Sequence, residues 1–510
     1  MKSSCRRLLA GARPLSYTLL AAALAVSVGA ASYAAASGSE NSVARLLSGK
    51  GVMDVQQSVL AVRLSDGKAL FEKDADKSLS PASVTKVITA AAALARFSPV
   101  RTFKTRFYSA GPRKNDRVLG DLVIVGDGDP FVISEKLWQV AADLKNLGIR
   151  EFTGDVVIDN GLFDDQVRDH SRQGFAKGSH NAYDAPVTAF GVNFNTYAIA
   201  IAPSDQPGRA AHVSLDPYPL RGVVIENNVK TAKARAAKQI DVKRVGDGKA
   251  NGERLVASGV IAADAPMSKV YRSVGEPVRA AGEYVKAFLK AEGVIVKGDV
   301  RQGPRPADAQ PLLELEGYEV RRIVQGLNTF SNNFIADMMV KRLGAAFPKA
   351  GSPEVAGSGS YGNGIATVID FLRKDVGLKG EFTLLNGSGL DTGNRLTARQ
   401  VTEVLAYMER RMDLFPDFVA SFPATGWDGT LKKRFGKGDA QDFKGMIRAK
   451  TGTLTEPITV AGLAGYFRHP KHGLVAFCIL ENGKSGEVQP AVTDLRDRQD
   501  EVLVAMLSEI

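Results

Sequence analysis

The chain reads as an α+β protein in which one helix-and-strand domain is interrupted by a large β-rich insert. Three observations predict this. A strand hairpin and an apolar helix lie near the amino-terminal end. A run of helices, three strands and a terminal helix close the chain. Between them, from about Arg101, short Val/Ile segments alternate with Gly, Pro and Asp. Chain ends carrying complementary parts of one layered domain commonly meet in a single sheet. The boundaries expected are 1–36 for a leader, 37–100 and 316–510 for the split domain, and 101–315 for the insert, with room for two subdomains.

Residues 1–36 read as a secretory signal. Lys2, Arg6, Arg7 and Arg13 precede an apolar run from about Tyr17 to Val28, and Ala34-Ala35-Ala36 offers an A-x-A cleavage site. The competing reading is an uncleaved anchor, but the run is short and Ala-rich for a membrane span. The mature chain is therefore expected in the periplasm. Cys5 precedes the apolar run, so lipid attachment is not indicated. Cys478 is then alone in the mature chain, inside Leu474–Leu480, which reads as a core strand; a buried, inert thiol is expected.

Ser58–Leu64 and Lys68–Lys73 form a hairpin about Asp66-Gly67. Ile88–Leu94 has small and apolar residues and no Gly or Pro, which reads as a buried helix. Strands are expected at 103–108, 121–126, 156–159 and 196–202, and helices at 135–147 and 280–292. Beyond Tyr318 the pattern turns helical, at 321–328, 334–344, 364–374 and 397–411. Strands follow at 446–450, 459–467 and 474–480, and a last helix at 493–508.

The net charge of +11 falls to +7 when the four leader cations are subtracted. The basic residues are dispersed, so nucleic acid is not indicated. Weak association with an anionic wall polymer or a membrane surface suits this balance.

Three short motifs carry chemistry. In Ser80-Pro81-Ala82-Ser83-Val84-Thr85-Lys86, Pro81 suits a first helical turn, and Ser83 and Lys86 share a face at the positive end of the helix. An amine there can deprotonate the serine, and free N–H groups can meet the oxyanion. Ser65-Asp66-Gly67-Lys68 also matches S-x-x-K but falls on the hairpin turn. Ser331-Asn332-Asn333 lies between two helical segments, where polar side chains reach a cleft; an ordinary helix cap is the alternative. Lys450-Thr451-Gly452-Thr453 ends a strand with a cation and hydroxyls suited to a carboxylate, and with a glycine that admits a close backbone. Such an edge can pair with an extended peptide.

The ordered trio S-x-x-K, S-x-N, K-T-G resembles the penicillin-recognising serine acyltransferases. About 250 residues separate Ser83 from Ser331, more than a compact β-lactamase needs. Gly120-Asp121-Leu122 through Gly128-Asp129-Pro130, Asn386-Gly387-Ser388-Gly389-Leu390 through Asn394-Arg395-Leu396-Thr397, and Gly426-Trp427-Asp428-Gly429-Thr430-Leu431 narrow the likeness. With them the chain resembles the class C low-molecular-mass penicillin-binding proteins, the D-Ala-D-Ala carboxypeptidase/endopeptidases of peptidase family S13. It departs at Asn332 and Asn386, where Asp is commoner, and at Thr453, where Ser is frequent.

The resemblance implies a serine β-lactamase/DD-transpeptidase-like domain: an antiparallel sheet with flanking helices, here split by the insert. It implies that Ser83 attacks the carbonyl between two D-alanines, with Lys86 as base. Ser331 relays the proton to the leaving amine, and Asn333 holds Lys86 and the substrate amide. Lys450, Thr451, Gly452 and Thr453 frame the terminal carboxylate. The Ser83 and Thr453 N–H groups form the oxyanion hole. A neutral Lys86 requires a depressed pKa, by burial or by Lys450. The family likeness of Val156–Phe163 points to Asp159 as a partner for a diaminopimelate ammonium; a turn aspartate is the equal alternative. Peptidoglycan stem peptides are the implied substrates, and β-lactams the implied covalent inhibitors. The chemistry requires no cofactor and no metal. Rival readings are a β-lactamase or esterase on the same scaffold, and a noncatalytic peptidoglycan-binding protein. No E-x-x-L-N-type segment supplies a deacylating carboxylate. Gly357–Gly362, Asp127–Pro130 and His469–His472 read as turns rather than dinucleotide, calcium or zinc sites.

Overall fold

The two ends of the chain build one sheet. Strand Ile447–Leu454 forms an edge, followed in space by Val460–His469, Gly473–Asn482, Gln56–Arg63 and Ala69–Lys73, all antiparallel. The computed structural model describes residues 42–48, 54–173, 179–245, 252–347, 357–436 and 438–509, so the expected signal segment 1–36 lies outside the described residues.

Alternation along these strands divides two cores, because successive side chains leave opposite faces of a sheet. Leu60, Cys478 and Leu480 join one cluster with the helices Thr85–Phe97, Val320–Phe330, Asn333–Ala346 and Ala398–Glu409. Val59, Ala61, Phe477 and Ile479 face the other side, against the terminal helix Val492–Glu509 and Val43 and Leu47 of the short helix Ser42–Ser48. Cys478 is buried as expected, and burial pushes its thiol pKa upward.

The helix Thr85–Phe97 passes through the first core with every residue from Thr85 to Leu94 buried. A helix buried on all faces needs small residues where neighbours approach, and Ala90–Ala93 provide them. Its stability comes from this packing: each buried Val, Ile or Leu contributes about 1.5–3 kcal/mol.

Residues 104–316 carry four further sheets and a separate apolar cluster around Phe107, Ile124, Phe152, Tyr197 and Phe288. The expected strands occur at Lys104–Ala110, Asp121–Val125, Val156–Asp159 and Thr196–Ala202, and the helices at Ser134–Asn146 and Pro277–Ala291. Among the strands not expected individually, one crosses the boundary of the insert. Gln310–Glu316 pairs antiparallel with Lys104–Ala110 and runs across the expected boundary at 315. Its partly buried, Pro-containing sequence shows no clean alternation, and cross-strand charge supports it: Glu314 pairs with Lys104 at 2.7 Å and Arg106 at 3.1 Å. Both pairs are exposed, so each is worth about 0.2–1 kcal/mol.

The motifs set aside behave as turns or caps. Asp66 holds the hairpin turn, accepting from Lys68 N at 3.1 Å and from Arg63 Nε at 2.8 Å, which removes Ser65 and Lys68 from contention. His469 and His472 stack across the turn between the last two strands, with the His469 ring accepting from the Lys471 and His472 N–H groups. Asp127 accepts from Lys104 N at 2.9 Å and pairs with Arg342. Among the described residues no helix is long and apolar enough to cross a membrane.

Candidate active site

Ser83 sits in a 3₁₀ turn, Ala82–Val84, that feeds directly into the helix Thr85–Phe97. The turn begins with a left-handed residue, Ala82 at φ 46°. Such a conformation costs a non-glycine residue about 1–3 kcal/mol and persists only where its surroundings impose it. Two close backbone approaches impose it here. A Cβ on Gly389 would lie 1.9 Å from Ala82 O, and one on Gly452 would lie 2.6 Å from Pro81 O. Only glycine allows the segment 386–390 and the edge strand to press against the nucleophile turn from two sides.

Helical spacing brings Lys86 back to Ser83. Its Nζ is fully buried and donates to Ser83 Oγ at 2.9 Å, to Asn333 Oδ1 at 2.8 Å and to the Ser388 carbonyl at 2.5 Å. Thus Ser388 is a contact of Lys86 that the sequence reading quoted only as a family mark. Ser83 Oγ also lies 3.4 Å from that carbonyl.

Ser331 is the C-cap of the helix Val320–Phe330, in the left-handed region at φ 54°, ψ 39°. Side-chain N-capping of the next helix falls to Asn332, which accepts from Ile335 N at 3.0 Å and starts the helix Asn333–Ala346. This division of labour leaves the Ser331 hydroxyl to face Lys450, whose Nζ donates to it at 2.8 Å. Asn333 holds Lys86 with its carbonyl oxygen and donates its amide to Tyr183 O at 3.1 Å.

The K-T-G motif differs in setting from the sequence expectation. The strand does not stop at Lys450 but runs on as Ile447–Leu454, with Lys450 paired to Ala464 and Thr453 to Ala461. The strand continues because Gly452 passes over the Pro81–Val84 backbone and Gly462 faces it across the ladder. Alternation then sends Lys450 toward Ser331 while Thr451 and Thr453 leave the opposite face. Thr451 Oγ1 meets Thr430 Oγ1 at 2.8 Å, and Thr453 Oγ1 accepts from Arg496 Nη2 at 2.8 Å. Among the described residues, 423–425 cover the outer edge of this strand as far as Ala449, through Ala449 N to Pro423 O and the Ala424–Arg448 bridge.

Lys450 is fully buried, and desolvation followed by the charge of Lys86 holds its pKa well below the ordinary lysine value. Its hydrogen bonds go to a hydroxyl and to the Thr451 carbonyl, not to a carboxylate. The site therefore places a second buried amine close enough to Lys86 for their charges to repel.

Eight of the nine expected residues thus gather on three adjoining segments. Asp159 has separate partners: its two carboxylate oxygens accept from Gly161 N at 2.9 Å and Arg305 N at 2.8 Å, the bonding of a turn. The sequence reading passed over Arg496 and Thr430. Thr430 was visible within Gly426–Leu431. Arg496 had no signal, because nothing in a helical Asp-Leu-Arg-Asp-Arg run marks which arginine reaches back to an edge strand.

Comparison with known proteins agrees with this geometry. The profile of the D-Ala-D-Ala carboxypeptidase 3 (S13) family matches residues 40–502. This chain belongs to that family. An S13 relative, the D-alanyl-D-alanine carboxypeptidase of Actinomadura sp. (strain R39), is 32% identical over 455 residues, covering 86% of this chain and 79% of the relative. The D-alanyl-D-alanine carboxypeptidase of Haemophilus influenzae is 24% identical over 429 residues, covering 84% and 85%. In fold, the S13 chain is similar to the crystal structure of penicillin binding protein 4 from Haemophilus influenzae. The TM-score is 0.71 at 23% identity, over 91% of this chain and 98% of that one. It is also similar to the predatory peptidoglycan endopeptidase Bd3459 of Bdellovibrio bacteriovorus, at TM-score 0.52 and 13% identity, over 89% and 94%.

Proposed function

We propose that this S13 protein is an exported serine peptidase of peptidoglycan. It removes the terminal D-alanine of stem pentapeptides and cleaves D-Ala–diaminopimelate cross-links, through an acyl-enzyme on Ser83. The observation that carries the reading is the pair of bonds joining the three motifs, Lys86 to Asn333 at 2.8 Å and Lys450 to Ser331 at 2.8 Å, with Lys86 also on Ser83 at 2.9 Å.

In this mechanism the Oγ–carbonyl bond forms as the Ser83 proton passes to neutral Lys86, within hydrogen-bond reach. The developing oxyanion is met by the Ser83 and Thr453 N–H groups. Support for that pairing is the close pass of the edge strand, where a Cβ on Gly452 would lie 3.2 Å from Ser83 N. The C–N bond breaks as Ser331, polarised by Lys450, gives its proton to the departing amine and is reprotonated with the proton that Lys86 took from Ser83, which leaves Lys86 neutral again. Water then releases the peptide from Ser83. The free edge beyond Ala449 is suited to receive the stem peptide as an added strand. The penicillin-binding and endopeptidase activities named for structural neighbours are assigned to this chain on the same grounds. The charge balance and the leader pattern favour a periplasmic protein held loosely to the wall or membrane surface.

Purified protein incubated with a cross-linked muropeptide tests the reading. Loss of terminal D-alanine and cleavage of the cross-link are both expected, and both vanish in Ser83→Ala. Release by the variant at the wild-type rate would refute it. Rapid hydrolysis of penicillin with no persistent adduct would favour a β-lactamase instead.

A further inference from the structure

The terminal helix Val492–Glu509 contributes a cation that the three motifs do not include. Three arginines mark its packing against the sheet and the segment before it. Arg434 is neutralised by Asp500 at 2.6 Å, and Arg498 by Glu481. Arg496 differs. Among the described residues it makes no ion pair within 4.0 Å, and its guanidinium donates to the Thr453 hydroxyl at 2.8 Å. It is half-buried, and its backbone carbonyl is clamped by Arg434 Nη2 at 2.8 Å. The bond to Thr453 holds the side chain against the sheet. Burial and the neighbouring charge of Arg434 both lower its pKa, the signature of a cation lacking an internal anion.

Resting on the serine-peptidase reading, we propose that Arg496 recognises the carboxylate of the residue leaving from the scissile bond, acting with Thr451 and Thr453 as an anion subsite. Thr451 and Thr453 leave the same face of the edge strand, and Arg496 stands behind Thr453 on that face. A guanidinium presents several N–H donors, and the bond to Thr453 uses one of them. A carboxylate at the open edge can bridge the hydroxyls and the guanidinium with charge-assisted bonds. One subsite then serves both proposed reactions. In stem pentapeptides the leaving D-alanine carries a carboxylate on the carbon next to the departing nitrogen. In a D-Ala–diaminopimelate cross-link the leaving diaminopimelate carries one at the same place.

The test compares wild type, Arg496→Met and Arg496→Lys on an N-acylated D-Ala-D-Ala peptide and on the same peptide ending in a carboxamide. Wild type is expected to favour the acid at least tenfold in kcat/KM. In Arg496→Met the acid should fall about 10- to 100-fold, the usual worth of a charge-assisted bond, mostly through KM. The amide should change less than threefold, and Arg496→Lys should retain part of the preference. An equal fall on both peptides, or no fall on either, overturns the proposal. The thermal midpoint of each variant shows whether an equal fall is merely structural. A wild type that hydrolyses neither peptide and forms no Ser83 adduct with penicillin defeats the peptidase reading, and the subsite with it.

Discussion

Lys341 and Lys450 are both fully buried lysines, and the contrast between them separates a structural charge from a working one. Lys341, on the helix Asn333–Ala346, meets Asp164 Oδ1 at 2.7 Å and the Gln166 carbonyl at 2.9 Å, with the rings of Phe163 and Tyr361 each 5.1 Å away. Burial lowers its pKa, but the hydrogen bond and charge of Asp164 draw it back up. Lys450 is surrounded by hydroxyl and carbonyl oxygen, and Lys86 pushes its pKa further down. One lysine brings its own anion and pins a helix to a loop. The other has no carboxylate partner among the described residues. Arg496 follows the second pattern on the opposite face of the same strand.

The largest break in this comparison is expected from Lys450→Met. It should lower kcat/KM for an acid-ended peptide about 10²- to 10³-fold, the scale of losing one oriented charge at a transition state. The thermal midpoint should hold or rise, because an uncompensated buried cation is removed. A drop in midpoint with activity intact would reverse the assignment.

Asp164→Asn should do the opposite, leaving Lys341 buried without its carboxylate. Asp164 is about one-third exposed, so the loss is about 1–3 kcal/mol, below the range for fully buried pairs. Differential scanning calorimetry should show a lower midpoint, with kcat/KM within threefold of wild type.

The pH profile sharpens the contrast further. In the proposed mechanism Lys450 polarises Ser331 as the cation, which exists below its folded pKa and is lost above it. Since that pKa lies well below the ordinary lysine value, kcat/KM for acid-ended peptides should fall at a pH below about 10.4. Lys450→Arg, which stays charged, should move this alkaline limb upward even if the rate is lower. An unmoved limb would assign it to another group, Lys86 being the nearest.

The smallest effect is expected at Asp159. The turn geometry predicts that Asp159→Asn costs about 1 kcal/mol of stability and leaves the preference between diaminopimelate- and lysine-containing stems unchanged. Selective loss of the diaminopimelate substrate would instead support recognition of its ammonium.

The site was legible in the sequence where chemistry and local structure coincide. Ser83 and Lys86 are linked by helical spacing. Ser331 and Asn333 occupy a gap between two helical patterns, and Lys450 to Thr453 stand at the end of a strand-like stretch. Each signal is carried by neighbours in the chain. What escaped depends on distant approach. The Ser388 carbonyl reaches Lys86 only because Gly389 fits against Ala82, and Arg496 reaches Thr453 only because the terminal helix packs on that face. The fold divides in the same way. The hairpin, the buried helix and the closing strands follow their periodicities. The strand Gln310–Glu316 does not, because its partner is about 200 residues earlier and its two faces are unevenly buried. The continuation of the edge strand through Thr453 also escaped, since a K-T-G reads as a turn unless the surface beneath Gly452 is known.

The central claim is that Ser83 is the nucleophile of a slowly deacylating acyl-enzyme. Intact-protein mass spectrometry after brief exposure to penicillin, with peptide mapping, tests it most directly. One adduct of the mass of the whole antibiotic is expected on the peptide containing Ser83, persisting for many minutes, and none on Ser83→Ala. An adduct on another residue, or an equal adduct on the variant, would contradict the account.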